Sequence, residues 1–238
     1  MLFLVQLHMK LSTRQKISVV KQNFSQLKYI FQVIQFAVQR APRRSLLSLL
    51  KWSSNHFPLP APQIVKYSVF SRYGLEALWI ETGTYLGATT KYLSERYPLV
   101  HSIEPSVKYF EYAKNRFRNV QNVRLHLGTS ESILPGLISK VLESQPNQIN
   151  FWLDGHWSNA DTFLGDQETP VMQELEEISR LIDAGIQVAV FIDDVRCFTG
   201  LISEYEAYPR LDSFVSWTSR NNLYWTIEHD IFIAKSTI

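Results

Sequence analysis

A chain of 238 residues, 45% hydrophobic and 13% aromatic, has the length and apolar content for one α/β domain with an appendage, which excludes a mostly disordered protein. The single cysteine, Cys197, excludes an intrachain disulfide framework and a cysteine-cluster metal site, and fits a reducing cytoplasm. The net charge of +2 hides a split: residues 1–75 carry eleven basic groups and no acid, and every one of the 22 acidic groups follows.

Met1 to Met9 is largely apolar, but no basic segment precedes the run and no small-residue cleavage site follows, so it does not read as a signal peptide. The best candidate for a membrane span, Tyr29 to Gln39, includes three glutamines and falls far short of the roughly 20 apolar residues a spanning helix needs. Phe24, Leu27, Phe31, Ile34 and Val38 recur at helical spacing and form one apolar stripe. A second helix is expected from Arg43 to about Asn55, carrying Leu46, Leu47, Leu49, Leu50 and Trp52. Pro58, Pro60 and Pro62 then force an extended linker, because proline lacks an amide donor and restricts the residue before it. Residues 1–62 are thus read as a basic helical extension and 63–238 as the main domain. The extension can be a helical cap on that domain or in a homo-oligomer, with its cations solvated. It can also be a peripheral attachment to an anionic membrane, where each basic residue is worth about 1 kcal/mol. Nucleic acid is not expected, since no recognition motif accompanies the charge.

From Ala77 the chain alternates strand and helix. Strands are expected at Ala77–Glu81, Leu99–Glu104, Asn122–Leu127, Ile149–Asp154 and Gln187–Asp194. Helices are expected over Gly87–Tyr97, from Ser106 as N-cap to about Phe117, from Ser130 to about Glu143, and from Thr169-Pro170 to about Ala184. Leu211–Arg220 reads as a last helix, and Leu223–Glu228 with Ile231–Ala234 as a closing hairpin around His229-Asp230. Such alternation means a parallel sheet covered on both faces, with ligands beyond the carboxyl ends of the strands. Glu81, Glu104, Asp154, Asp193 and Asp194 all fall at such ends.

The first strand runs into Glu81-Thr-Gly-Thr-Tyr-Leu-Gly87. Gly83 lets the backbone approach a ligand, and Gly87 allows close packing of helix on strand. The G-x-G-x-x-G spacing of a dinucleotide turn is absent, as is the Gly-Lys-Ser/Thr of a P-loop, so a nucleoside-type ligand is expected rather than a triphosphate. Glu104, 21 residues after Gly83, is placed to accept the hydroxyls of a ribose.

Taken in order, ETGTYLG, HSIEPS, LHLGTSES, FWLDGH and FIDDVRCF resemble the class I S-adenosylmethionine-dependent methyltransferases over about residues 75–238. LDGHWS, GDQETPVMQEL and IDDVRCF are similar to a bacterial family whose broader relatives include the macrocin-type sugar O-methyltransferases. The resemblance implies a Rossmann-like, seven-stranded, mostly parallel sheet with S-adenosylmethionine as cofactor. It implies that Glu81, Gly83, Thr84, Tyr85 and Gly87 line the methionine part, that Glu104 holds the ribose, and that Thr129 and Ser130 sit by the adenine. Thr129 stands where the family carries an acid, and plain N-capping explains Thr129 and Ser130 equally well.

In the macrocin-type enzymes acids equivalent to Asp154, Asp193 and Asp194 bind a divalent metal, so Mg²⁺ is a candidate second cofactor. Hard Mg²⁺ takes oxygen ligands in an octahedron. It could lower the pKa of an acceptor hydroxyl. Asp193 and Asp194 are consecutive, however, and point to opposite faces of a strand unless the chain turns, so one of them could instead brace a loop against Arg196. His156, two residues after Asp154, stands where those enzymes carry an aspartate base; with an ordinary pKa near 6.5 it would serve as base at neutral pH. The expected activity is O-methylation of a sugar or glycan-type hydroxyl. The alternatives are a metal-independent small-molecule methyltransferase and a non-catalytic module acting through its basic arm.

Overall fold

The computed structural model describes residues 43–155 and 169–237. By its internal contacts the chain divides between Ser68 and Val69. The stripe from Phe24 to Val38 lies outside the described residues.

In the first unit, helix α1 (Arg43–Ser54) buries Leu49 and Trp52, three residues apart, and leaves Leu47 and Leu50 exposed. Trp52 donates its indole N–H to the carbonyl of Pro58 at 2.7 Å, which folds the proline segment back on the helix. Ala61, Ile64 and Val65 complete this small cluster. Helix α2 (Gln63–Tyr73) was not legible in the sequence beside three prolines, and it crosses the division between the units.

The second unit holds one seven-stranded sheet. Its strands are β1 (Leu78–Thr82), β2 (Val100–Glu104), β3 (Val123–Leu127), β4 (Gln148–Leu153), β5 (Gln187–Ile192), β6 (Leu223–Glu228) and β7 (Ile231–Ser236). The order is β3-β2-β1-β4-β5-β7-β6, with β7 antiparallel to both of its neighbours and the rest parallel. This is the Rossmann-like, mostly parallel sheet expected. Connecting helices are α3 (Ala88–Ser94), α4 (Val107–Arg116), α5 (Ser130–Ser144), α6 (Val171–Asp183) and α7 (Leu211–Arg220). His229 and Asp230 both adopt positive φ, of 50° and 72°, as a tight hairpin of the primed type requires.

Two features at helix starts differ from expectation. Ser106 occupies the N-cap of α4 without a side-chain cap bond; its amide donates instead to Glu104 at 2.9 Å. The N-cap of α6 is Pro170 rather than Thr169, one residue later than the Thr-Pro pair suggests.

The two faces of the sheet differ chemically. One bears Trp79, Trp152 and Phe191, on which Phe70 of α2 packs with ring centroids 4.7 to 5.4 Å away. Glu81 and Ser102 share that face, since Glu81 pairs in register with both Ser102 and Trp152. The other face carries no buried charge at mid-strand and buries Ile80, Phe151 and Val190 beneath α5, α6 and α7 through Leu134, Leu175 and Phe214. Trp217 of α7 donates to the Leu175 carbonyl at 3.1 Å and to the Ser179 hydroxyl at 2.9 Å, pinning α7 on α6. Strand order reverses between the parallel neighbours β1 and β4: the crossovers to β2 and β3 step to one side of β1, and β4 and β5 are added on the other; ligands of open α/β sheets bind at that switch.

Phe151 is fully buried between these layers. Phe151→Ala should cost about 3–5 kcal/mol, read as a lowered midpoint in chemical denaturation.

Candidate active site

The turn after β1 is shaped by close contact with β4. Gly83 has φ of +90°, and a Cβ there would lie 2.6 Å from the carbonyl oxygen of Asp154. No other residue type fits. The amides of Gly83 and Thr84 both donate to the Ile103 carbonyl, at 3.0 and 3.2 Å, and the Gly87 amide returns to the Thr84 carbonyl at 2.8 Å. Gly87 has φ of +70°, and a side chain there would meet the ring of Phe117 at 2.6 Å. Tyr85 takes φ of +48° without being glycine, a left-handed conformation costing roughly 1–2 kcal/mol. Tyr85 is 51% exposed, and its ring tilts against Tyr109 with centroids 4.7 Å apart.

Glu104 holds this turn from β2. Its Oε2 accepts the Tyr85 amide at 2.7 Å and its Oε1 accepts the Ser106 amide at 2.9 Å, joining the turns after β1 and β2. A carboxylate has about four lone-pair sites, so each oxygen retains capacity for a ligand hydroxyl. Burial pushes its pKa up, opposed by these amides. Glu104 is 5% exposed.

Glu81 lies deeper, 1% exposed. Its Oε2 accepts the hydroxyls of Thr90 on α3 and Ser102 on β2, both at 2.6 Å. Burial pushes its pKa up to about 7 against the lowering effect of those two bonds, with Glu104 adding a further upward push. Thr84, 3% exposed, is 2.6 Å from the Ser102 hydroxyl. The side chains of Glu81 and Thr84 therefore support the turn from beneath, and Gly83, Tyr85 and Leu86 form its outer surface. Ser102 and Thr90 were missed in the sequence, because a strand serine and a helical threonine carry no motif; only the register of β2 on β1 marks Ser102.

Asp154 follows β4, and its amide donates to the Thr82 carbonyl at 3.1 Å. Asp193 follows β5 and is 2% exposed. The chain does turn at Asp194, with φ of +55°. Asp194 accepts the Arg196 guanidinium at 2.6 Å, and Arg196 also pairs with Asp230 of the β6–β7 hairpin. Among the described residues no group of three or more ligating side chains that could hold an ion is present, so Mg²⁺ at Asp154, Asp193 and Asp194 finds no support there. The brace against Arg196 is what the third acid does. His156 lies outside the described residues.

Thr129 is the N-cap of α5 without a side-chain cap bond; its hydroxyl reaches Ser132 at 3.2 Å. Ser130 lines a cavity of about 430 Å³ together with Glu131 and Leu134 of α5 and Met172, Gln173 and Glu174 of α6.

No family model matches the chain, and no curated protein matches it. Solved structures do. An N-methyltransferase, NodS from Bradyrhizobium japonicum, is 11% identical over 71% of this chain and 92% of its own, with a TM-score of 0.44. Aeropyrum pernix fibrillarin with natively bound S-adenosyl-L-methionine is 12% identical over 72% and 74%, with a TM-score of 0.43. Precorrin 8w decarboxylase from Methanobacterium thermoautotrophicum is 12% identical over 76% and 93%, at 0.45. At these values the fold class rests on this chain's own strand order.

Glu81 gives a testable stability signature. Its folded pKa, about 7, stands above the ordinary 4.5, so the folded state favours the protonated form. Its contribution is full below pH 4.5 and is lost as pH rises through about 7. Glu81→Gln, neutral throughout, should show a flatter dependence of unfolding free energy on pH across that window, measured by denaturant titration at a series of pH values.

Proposed function

We propose that the chain is an S-adenosylmethionine-dependent methyltransferase acting on a hydroxyl of a sugar or glycan-type small molecule. The observation that supports this best is the pairing of Gly83, pressed on the Asp154 carbonyl at the switch between β1 and β4, with Glu104, which holds the Tyr85 amide of the same turn. A backbone stripped of side chains beside a carboxylate with unused lone pairs suits a nucleoside whose tail passes the turn. Glu104 would take the ribose hydroxyls, the Gly83–Gly87 turn the amino-acid tail, and Ser130 with Thr129 the adenine edge.

Bound there, S-adenosylmethionine supplies a methyl group on a positively charged sulfur. The chain's own work is to hold an acceptor oxygen in line about 3 Å from that carbon and to remove its proton. Asp154, beside Gly83, and His156, two residues further along the sequence, are the groups proposed to accept the proton. The O–H electrons form the new O–CH₃ bond, and the S–CH₃ electrons return to sulfur. Because Asp194 is committed to Arg196, the reading favoured for this chain is proton removal by side chains rather than by a metal-bound acceptor.

Calorimetric titration of S-adenosylmethionine into the purified chain, with Mg²⁺ and with excess chelator, tests the proposal. Binding unaffected by chelator is expected, and Glu104→Ala should weaken it about tenfold or more, as losing a charged hydrogen-bond acceptor does. Asp154→Ala should keep the binding and lose transfer in an acceptor screen. Folded protein that binds no cofactor would overturn the assignment.

A further inference from the structure

We infer that Ser102 is a positioning residue for the ligand turn, acting through Thr84 above it and Glu81 beside it. The inference rests on the cofactor reading proposed above and goes beyond the residues that reading names. Ser102 lies in the middle of β2, fully buried, and its side chain touches no ligand surface. Its hydroxyl has one proton, which goes to Glu81 Oε2 at 2.6 Å. The 2.6 Å contact with Thr84 must then be a bond donated by Thr84. Thr90 of α3 adds a second donor to the same carboxylate oxygen at 2.6 Å. The result is a directed chain of hydroxyls, from Thr84 to Ser102 to Glu81, met from the other side by Thr90.

This chain fixes two things at once. Thr84 is the residue after Gly83, so its side-chain bond anchors the turn to β2 independently of the backbone bonds to Ile103. The same hydroxyl stabilises Glu81 as an anion, against burial and against Glu104, the charged group that acts on it from β2. Thr90 faces Glu81 from α3 with a neutral hydroxyl, and the register neighbour on β4 is the uncharged Trp152. An anion under the turn favours a ligand whose tail carries positive charge. Removing the Ser102 hydroxyl loosens Thr84 and raises the pH at which Glu81 ionises.

The test is the affinity for S-adenosylmethionine of the wild-type chain and of Ser102→Ala, Ser102→Thr and Thr84→Val, measured from pH 5.5 to 7.5. Taking the ratio of variant to wild type at each pH cancels the ligand's own titration. Ser102→Ala should bind about tenfold more weakly near pH 7.5, as expected for a lost hydrogen bond to a charged group, with a smaller deficit at pH 5.5 where Glu81 is protonated in both proteins. Ser102→Thr keeps a hydroxyl and should restore affinity. Thr84→Val, which preserves shape but cannot donate, should weaken binding by a ratio less dependent on pH, and it carries the test should Ser102→Ala fail to fold. A wild-type chain that binds while Ser102→Ala and Thr84→Val bind equally well overturns this inference alone. A deficit in Ser102→Ala that is constant with pH overturns the link to Glu81. A folded wild-type chain that does not bind overturns the functional proposal and this inference together.

Discussion

The contact between Gly83 and the carbonyl of Asp154 sets the geometry of the carboxyl edge of the sheet. A side chain at Gly83 would drive that oxygen away at 2.6 Å, and φ of +90° is one that L side chains rarely adopt. Because the contact is made, the turn after β1 closes against β4 at the point where the crossovers diverge. The Tyr85 amide is then delivered to Glu104, and Glu104 in turn receives Ser106 from the start of α4. Three connections, those following β1, β2 and β4, are thereby held in one place by one steric constraint and one carboxylate.

Below that edge, one face of the sheet carries a buried carboxyl among aromatic rings and the other is apolar throughout its strands. Glu81 stands on the aromatic side, in register with Trp152 and above the layer of Trp79, Phe191 and Phe70. Such neighbours offer no solvation, which is why two short hydroxyl bonds leave its pKa near 7 rather than in the usual carboxylate range. On the opposite side the same strands are sealed under α5, α6 and α7.

Much of the sheet was legible in the sequence because β1, β2, β4 and β5 are short, mostly apolar runs that end in acids. The hairpin of β6 and β7 was equally plain, since His229-Asp230 interrupts alternating residues where positive φ is needed. Helix α2 was hidden, because the prolines before it suggest continued extension and its buried residues, Ile64, Val65, Ser68, Val69 and Phe70, include no motif. Gly83 and Glu104 could be picked out as a pair from spacing, since both the conformation and the charge are tied to residue type. Ser102 could not, as its role depends on strand register. Asp154, Asp193 and Asp194 all stand at strand ends in the pattern, but the left-handed turn at Asp194 and its pairing with Arg196 depend on the fold and were not legible.

The most direct measurement is a crystal structure of the chain with S-adenosylhomocysteine, the neutral-sulfur product of methyl transfer. Density is expected with the ribose hydroxyls within hydrogen-bond reach of Glu104 and the amino-acid tail along the backbone of Gly83 and Thr84. Density for the nucleoside elsewhere, or a Gly83 turn left without ligand under saturating conditions, would contradict the assignment of this edge as the cofactor site.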